Sequence, residues 1–356
     1  MKKKMNRKIL AIGMIAAMCM SLAACGGAQT PTSAESRTLN IYVWTEYVPE
    51  SVIKGFEEKT GITVNVSTFS SNEDMLAKVK AESEGAYDLV QPSDYMVEQM
   101  INQGMLEKID STKLTNLKNI GASYLKPSYD PTGEYSVPYL GGVGAIAVNT
   151  SMITDEINSY ADLFNPAYAN TLVVLDDFRA TIGITAHSIG LSMNETDHAN
   201  LALVKEQLLK LKDIVKLYDS DSPKSALISG DCALGFCWSA EIALAMEENP
   251  DIEIVYPEEG AFLFLDNWCV PKGAKNYDEA MEFINYMLEA ETSAKVSAEF
   301  PYLNPNTAAV ELLGSEYIDN PAKNPPADVF SKGEFVMNLD TETIAIYDEM
   351  WTTLKK

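Results

Sequence analysis

The sequence is poor in histidine, in cysteine and in basic side chains. Its 356 residues include 2 His and 5 Cys, and 51 Asp and Glu outnumber 27 Lys and Arg, for a net charge of −24. Two His nearly exclude a His-rich metal or catalytic site, and His187 and His198 have no partner pattern, so both are expected to be surface or helix residues. An acidic surface repels phosphate backbones, which argues against nucleic acid as a partner. It would attract a cationic ligand, although acidic surfaces mostly serve solubility.

The cysteines do not predict a disulfide framework. Cys19 lies in an N-terminal leader and Cys25 directly follows it, which leaves the odd set Cys232, Cys237 and Cys269. Cys232 and Cys237 fall in one predicted strand and are expected to point to its opposite faces. Because the sequence has no CxxC pattern, no metal site is predicted, and we interpret all three as small buried apolar residues.

Motifs of common enzyme classes are also missing. The sequence contains no Gly-x-Ser-x-Gly, no HExxH and no phosphate loop ending in Gly-Lys-Ser/Thr. The glycine-rich run 141–146 leads into an apolar strand, so we interpret it as a strand crossing between two lobes, where glycine permits hinge rotation or close backbone approach. No enzyme activity and no cofactor are therefore predicted. A secreted hydrolase using Asp177 with Asp176 or Asp266 stays as the remote alternative.

The first 25 residues predict export and a lipid anchor. Five basic residues precede the apolar run 9–24, which is short for a membrane span. The run ends Leu22-Ala23-Ala24-Cys25-Gly26-Gly27, which resembles the lipobox of bacterial lipoproteins. The resemblance implies cleavage before Cys25 and a diacylglycerol on its sulfur, which would hold the protein on the outer face of the cell membrane. A soluble secreted protein is the alternative. Loss of the five basic residues changes the net charge to −29.

Strand and helix patterns alternate through most of the remaining chain. Alternating apolar residues predict strands at 39–43, 62–66, 87–90, 172–175, 233–236 and 252–255. Helical spacing predicts helices at 52–60, from a cap at Asn72 to 79, and at 95–102, 180–190, 201–217, 240–247 and 279–288. This order predicts an α/β protein with mostly parallel sheets flanked by helices, and more than 300 folded residues predict two domains.

Aromatic and acidic residues recur where the predicted strands end. Open α/β sheets bind ligands at the carboxyl ends of their strands. Ring faces attract an organic ammonium, and carboxylates accept hydrogen bonds from it. The pattern therefore predicts a cleft for an organic cation, and it comprises Trp44, Thr45, Glu46, Tyr47, Ser93, Tyr95, Asp177, Trp238 and Asp266.

Each of these residues also has an ordinary structural explanation. Trp44 fits a core or a contact between lobes equally well. Asp266 fits a turn, while Asp177 and Ser93 fit helix N-caps. Tyr95, like Tyr302 further along the chain, fits a core position with its hydroxyl hydrogen-bonded.

Short segments in a defined order carry a family resemblance. They are Trp44-Thr45-Glu46-Tyr47-Val48-Pro49, Ser71-Asn72-Glu73, Gly85-Ala86-Tyr87-Asp88-Leu89-Val90, Pro92-Ser93, Ile109-Asp110, Lys113-Leu114-Thr115-Asn116, Val137-Pro138-Tyr139, Leu175-Asp176-Asp177, Glu259-Gly260, Ala274-Lys275-Asn276 and Pro305-Asn306. In this order and spacing they resemble bacterial spermidine/putrescine-binding proteins, the extracytoplasmic receptors of polyamine ABC importers. The resemblance covers nearly the whole chain from Leu39 to the last helix.

The resemblance implies a two-lobed periplasmic-binding-protein fold of type II, with a ligand cleft between discontinuous lobes. The leader then spans 1–24 and a flexible tether 25–37. The first lobe comprises 38–143 and a return segment 266–313, and the second comprises 144–265 and 314–356. The implied partners are a polyamine and an importer permease, and the protein is expected to act as a monomer.

The resemblance also implies binding roles for individual residues. Trp44, Tyr47 and Tyr302 would shape an aromatic box, and Thr45 and Glu46 would contact an amine end of the ligand. Asp266 would be a principal amine-binding carboxylate, and Ser220 and Phe264 join the other cleft residues. Three positions depart from the spermidine-binding pattern, because a family Glu is Ala180 here, a Trp is Phe264 and a Gln is Val336. The preferred polyamine therefore stays open. Receptors of this fold for ferric ion present adjacent tyrosines, and the sequence has no Tyr-Tyr pair. The alternatives to a polyamine receptor are a receptor of the same fold for ferric ion or another solute, and an adhesin or signalling module.

Overall fold

A computed structural model describes residues 37–356 as alternating strands and helices. The strands are β1 (Thr38–Trp44), β2 (Thr63–Phe69), β3 (Leu89–Val90), β4 (Val137–Asn149), β5 (Leu172–Val174), β6 (Val215–Tyr218), β7 (Leu234–Trp238), β8 (Ile252–Val255), β9 (Phe262–Trp268) and β10 (Glu334–Phe335). The helices are α1 (Glu50–Thr60), α2 (Asn72–Ala81), α3 (Asp94–Asn102), α4 (Phe178–His187), α5 (His198–Leu208), α6 (Lys224–Ile228), α7 (Ser239–Glu248), α8 (Tyr277–Met287), α9 (Ala290–Glu299), α10 (Thr307–Leu313), α11 (Ser315–Ile318), α12 (Ala327–Lys332) and α13 (Thr341–Lys355). No helix within these residues is both long and apolar enough to cross a membrane.

The strands of residues 37–356 form two sheets. The smaller sheet has the order β2-β1-β3, and both of its strand pairs are parallel. The larger sheet has the order β10-β9-β4-β7-β5-β6, with β8 also paired to β4. Its pairs β5–β6, β5–β7 and β9–β10 are parallel, whereas β4 runs antiparallel to β7, β8 and β9. The predicted α/β class is confirmed, and β4 adds antiparallel pairs that the alternating pattern did not predict.

The glycines of β4 allow close packing of aromatic rings against the strand. A Cβ at Gly144 would lie 2.8 Å from the Phe236 ring, and a Cβ at Gly142 would lie 3.0 Å from the Phe264 ring. Close approach is therefore confirmed as a reason for glycine in this strand. Hinge rotation at the same glycines stays a prediction.

The end of β9 joins the larger sheet to the smaller one. Val90 and Cys269 exchange backbone hydrogen bonds of 2.9 and 3.0 Å, and the Asn267 amide donates to the Pro92 carbonyl at 3.0 Å. A further bridge pairs Ser93 with Asp266. These contacts place the Asp266 side chain where the two sheets meet.

Asp88 ties the smaller sheet to the segment before α8. Its carboxylate accepts hydrogen bonds from the amides of Asn40, Lys275 and Asn276 and from the Asn40 and Asn276 side chains, at 2.8–3.1 Å. Gly85, three residues earlier, has φ +73°, and a Cβ there would lie 2.7 Å from the Gly273 carbonyl oxygen. Two segments that the sequence analysis quoted separately, 85–90 and 274–276, are thus in direct contact.

Two of the local predictions are wrong. The helix predicted at 201–217 ends at Leu208, a 3₁₀ turn follows, and Val215–Tyr218 is a strand, because pairing with β5 outweighs helical spacing there. Asn72 does not cap α2. Ser71 is the N-cap and accepts from the Asp74 amide at 3.2 Å.

The structure also corrects the expected orientation of two cysteines and the expected lack of partners at His187. All three cysteines are buried and free, as predicted. However, Cys232 precedes β7, and it contributes with Cys237 to the same small apolar cluster, so the two do not point to opposite faces. His187 and His198 lie on helices, as expected, but His187 has two partners, since its ring nitrogens lie 3.1 Å from the Gly260 carbonyl oxygen and 3.0 Å from Glu334 Oε2.

The predicted leader 1–24, the lipid attachment at Cys25 and the tether up to residue 36 lie outside the described residues and stay predictions. Arg37, the last residue of the predicted tether, already belongs to the folded part. Its guanidinium pairs with Glu279 at 2.9 Å and with Glu282 at 2.5 Å, both on α8.

Candidate functional site

A cavity lies where the two sheets meet. All twelve predicted site residues line it, although they come from widely separated parts of the chain: Trp44, Thr45, Glu46, Tyr47, Ser93, Tyr95, Asp177, Ser220, Trp238, Phe264, Asp266 and Tyr302. The structure therefore brings the whole predicted set together.

Asp266 is the buried carboxylate at the centre of this set, with 4% of its surface exposed. Tyr47 Oη donates to its Oδ2 at 2.7 Å, and Ser93 Oγ donates to its Oδ1 at 2.6 Å. Burial raises the pKa of Asp266 to about 6, because desolvation disfavours the charge, while hydrogen bonds from Ser93 and Tyr47 partly oppose the rise. An ammonium at this carboxylate would supply the missing positive charge.

The start of α3 positions Asp266. Ser93 is the N-cap residue of α3, but its hydroxyl binds Asp266 instead of capping the helix, and Asn72 Nδ2 donates to Ser93 Oγ at 3.0 Å. Asp94 accepts from the Tyr95 amide at 2.7 Å and from the Leu265 amide at 3.1 Å. Asp94 thereby holds β9 against α3, and burial raises its pKa well above the ordinary value.

Aromatic rings form the walls around Asp266. The Tyr47 and Tyr302 rings meet edge to face with centroids 5.1 Å apart, and Tyr302 meets Phe264 at 5.9 Å. Trp238 meets Phe264 at 5.0 Å. Such walls pack methylene groups, and ring faces placed toward a cation attract it. The cavity is therefore suited to an organic cation with an aliphatic chain.

The loop after β1 brings three predicted residues to the cavity. Thr45 Oγ1 donates to the Phe69 carbonyl at 3.2 Å, so its hydroxyl already has a backbone partner. Glu46 has φ +49°, a left-handed conformation that non-glycine residues seldom adopt. Trp44 Nε1 is buried and has no partner in hydrogen-bond geometry among residues 37–356, although the indole lies close enough to Asp266 to help lower its pKa.

The other end of the cavity combines acids with an arginine. Tyr95 Oη donates to Glu73 at 2.9 Å, and burial together with the charge of Asp177 raises the pKa of Glu73 to about 7. The Arg179 guanidinium lies 5.2 Å from the Tyr95 ring centroid and is 1% exposed. Asp177 caps α4 by accepting from the Ala180 amide at 2.9 Å, and it also lines the cavity. The capping and cavity interpretations of Asp177 therefore both hold.

Six other residues that line the cavity were not predicted to bind a ligand: Ser70, Asn72, Asp94, Arg179, Asp221 and Phe262. Asn72 belongs to a segment quoted for the resemblance and Asp94 directly follows another, so that signal could have found them. Arg179 could not be found this way, because a buried arginine in a cation pocket contradicts the pattern. Among the departures, Val336 lines the cavity and Ala180 is buried in α4.

Of the two acid pairs of the hydrolase alternative, Asp177 and Asp266 both line the cavity, whereas Asp176 and Asp177 do not converge. Asp176 binds Lys355 Nζ at 2.8 Å and does not line the cavity, whereas Asp177 does. Within residues 37–356, no group of three or more His, Cys, Asp or Glu side chains is arranged to hold a metal ion.

A family comparison decides what kind of protein this is. The family model of bacterial extracellular solute-binding proteins matches residues 51–326. The chain belongs to this family. This solute-binding protein is 37% identical over 354 residues to the spermidine/putrescine-binding periplasmic protein of Salmonella typhimurium, and the match covers 99% of each chain. It is 35% identical over 354 residues to the protein of that name from Escherichia coli K12, again over 99% of each.

A solved structure extends the comparison to the fold. The solute-binding protein is similar to a putative spermidine/putrescine ABC transporter from Listeria monocytogenes, with a TM-score of 0.87 and 34% identity over 90% of this chain and 99% of that one. The predicted family and periplasmic-binding-protein fold are confirmed. The named relatives are binding proteins rather than enzymes.

Proposed function

We propose that this protein binds a polyamine in the cavity at Asp266 and delivers it to an ABC importer. The observation that carries the proposal is the buried Asp266 carboxylate, held by two hydroxyl donors and enclosed by aromatic rings. A buried carboxylate needs a positive partner, and a protonated amine supplies both the charge and the hydrogen bonds. The polyamine-binding relatives support the same ligand class.

We propose further that the ligand is clamped by closure of two lobes, 38–143 with 266–313 and 144–265 with 314–356. Three contacts between these ranges support closure around the cavity. Ser70 Oγ donates to Asp221 at 3.2 Å, Lys224 binds Glu46 at 3.3 Å, and Arg179 stacks on Tyr95. Such contacts would stabilise the closed state in addition to those the ligand makes.

Closed protein would then dock on the importer permease, and a separate ATPase would supply the energy. The proposal includes a monomer anchored to the outer face of the cell membrane through Cys25. The lipobox-like segment before Cys25 supports the anchor, and the periplasmic location of the named relatives supports an extracytoplasmic site.

A thermal-shift panel tests the proposed ligand class. We expect putrescine or spermidine to raise the melting temperature, because a ligand of the native state stabilises it by RT ln(1 + [L]/Kd), which is about 2.7 kcal/mol at 100 Kd. Comparing the shifts with cadaverine and spermine shows which polyamine length the cavity prefers, while amino acids and Fe³⁺ serve as controls. A shift with Fe³⁺ or an amino acid and none with any polyamine would assign the cavity to another solute.

Polyamine affinity is expected to fall in acid. Binding needs ionised Asp266, whose pKa is about 6, whereas the amines stay protonated at neutral and acidic pH. The ionised fraction is nearly complete at pH 7.5 and small at pH 5, so the apparent Kd should rise about tenfold between them. Calorimetry at both pH values measures this, and Asp266→Asn should abolish the difference. A wild-type Kd that is the same at both pH values would contradict the role of Asp266.

A further inference from the structure

A lysine ammonium binds the carboxylate that the family resemblance assigns to a polyamine amine. Lys224, the first residue of α6, donates to Glu46 Oε2 at 3.3 Å and to both carboxylate oxygens of Glu241 at 2.9 and 2.8 Å. Its side chain is 20% exposed and that of Glu241 is 6% exposed. Lys224 therefore lies in a largely enclosed acidic position beside the cavity, next to the lining residue Asp221.

The Lys224 head group has the same chemistry as the end of a polyamine. Both are primary ammonium groups on a methylene chain, with three N–H donors and one positive charge. A second ammonium at Glu46 would lie within a few ångströms of Lys224 Nζ, where like charges repel. Because Lys224 is attached to the chain, a ligand ammonium must compete with it for Glu46 at a high effective concentration.

A second built-in cation, Arg179, lines the same cavity. Asp266 binds Tyr47, which follows Glu46 directly, and Ser93, which precedes Tyr95 by two residues. Lys224 contacts the Glu46 side of this arrangement and Arg179 contacts the Tyr95 side. Arg179 lies between the Tyr95 and Tyr347 rings, and its Nε and Nη1 have no partner among the described residues.

We propose that Lys224 determines ligand length by occupying the Glu46 end of the cavity in place of a terminal amine. The inference rests on the proposed polyamine function and deepens it. Because Lys224 already occupies Glu46, a third ammonium at Glu46 would be repelled by the Lys224 ammonium, whereas a diamine bound around Asp266 would not reach it. Lys224 is a specificity-determining residue, and the protein prefers putrescine to spermidine.

The test compares putrescine and spermidine by calorimetry in the wild type and in the double variant Lys224→Gln/Glu241→Gln. The double variant leaves the net charge unchanged and avoids a buried unpaired Glu241, which the single change Lys224→Gln would create. It frees Glu46 for a third ammonium. The Kd for spermidine, divided by the Kd for putrescine, should therefore fall about tenfold relative to the wild type.

Two matched controls isolate Lys224. Glu241→Gln alone leaves Lys224 on Glu46 and should not shift the ratio toward spermidine. Lys216→Gln removes a lysine whose recorded partner is Asp231, and it should leave both affinities unchanged. Melting curves of each variant without ligand confirm folding before titration.

The possible outcomes are distinct. A wild type that prefers spermidine, or a double variant that binds both polyamines with an unchanged ratio, would overturn the role of Lys224 and leave the proposed function standing. A wild type that binds neither polyamine would refute the proposed function, and the inference would fall with it. A tenfold shift confined to the double variant supports the assignment.

Discussion

Asp266→Asn is expected to weaken polyamine binding by about 2–5 kcal/mol, or roughly 30-fold to several thousandfold in Kd. The substitution keeps the shape and one acceptor oxygen, which can serve either Tyr47 or Ser93, and it removes the charge that a buried ammonium needs. An amine that enters the variant cavity would lack its main counter-ion among the aromatic walls. Isothermal titration with putrescine and spermidine at pH 7.5 measures the loss.

Without ligand, the same variant should not lose stability. The folded-state pKa of Asp266 is raised to about 6, so ionised Asp266 disfavours the folded state above that pH. Asp266→Asn removes this cost, and the ligand-free melting temperature at pH 7.5 should stay level or rise. Asp176→Asn is the matched control, since it removes the same charge next to Asp177 outside the cavity. An unchanged Kd in Asp266→Asn, or an equal loss in Asp176→Asn, would reject the assigned role.

Asp88→Ala is expected to destabilise the fold by about 3–5 kcal/mol. The change removes a buried acceptor for three backbone amides and two side-chain amides, which tie β1 to the segment before α8. These donors cannot all find new partners inside the protein. Urea unfolding followed by tryptophan fluorescence would show a lower midpoint, because unfolding restores their hydrogen bonds with water.

Two further variants provide losses of stability with which the Asp88→Ala loss can be compared. Asp88→Asn keeps one acceptor oxygen and should lose less stability than Asp88→Ala. Asp328→Ala breaks only an exposed pair with Lys332 at 3.7 Å, where a loss below about 0.5 kcal/mol is expected. If Asp88→Ala unfolds at the same urea concentration as Asp328→Ala, then Asp88 does not join the two segments as strongly as its contacts indicate.

The position of several site residues relative to the strands was predictable, although Asp266 lies within β9 and not after its end. The Trp44–Tyr47 loop follows β1, Ser93 follows β3 and Asp177 follows β5, because period-two alternation reveals strands and parallel strands direct their ends to one edge. β6 was not predictable in the same way. Val215 and Leu217 fit a helical face as well as a strand, and pairing with β5 decided between them.

The roles of particular side chains needed the fold. Ser93 and Asp177 both occupy N-cap positions in sequence, yet Ser93 Oγ binds Asp266 while Asp177 binds its own helix. The difference arises because β9 lies beside the start of α3, a contact between residues 173 positions apart. Arg179, Lys224 and Glu241 have no sequence signal, since isolated charged residues are ordinary on helices.

The sequence alone determined the α/β class, the acidic charge, the cavity-lining aromatics and acids, and the family. These follow from local periodicity and from short ordered segments, which do not depend on distant contacts. Only the tertiary structure decided that Asp266 is buried between two hydroxyls, that Asp88 joins two distant segments, and that Lys224 binds both Glu46 and Glu241. Burial and ion pairing depend on which elements meet, and those meetings are set by packing across the whole chain.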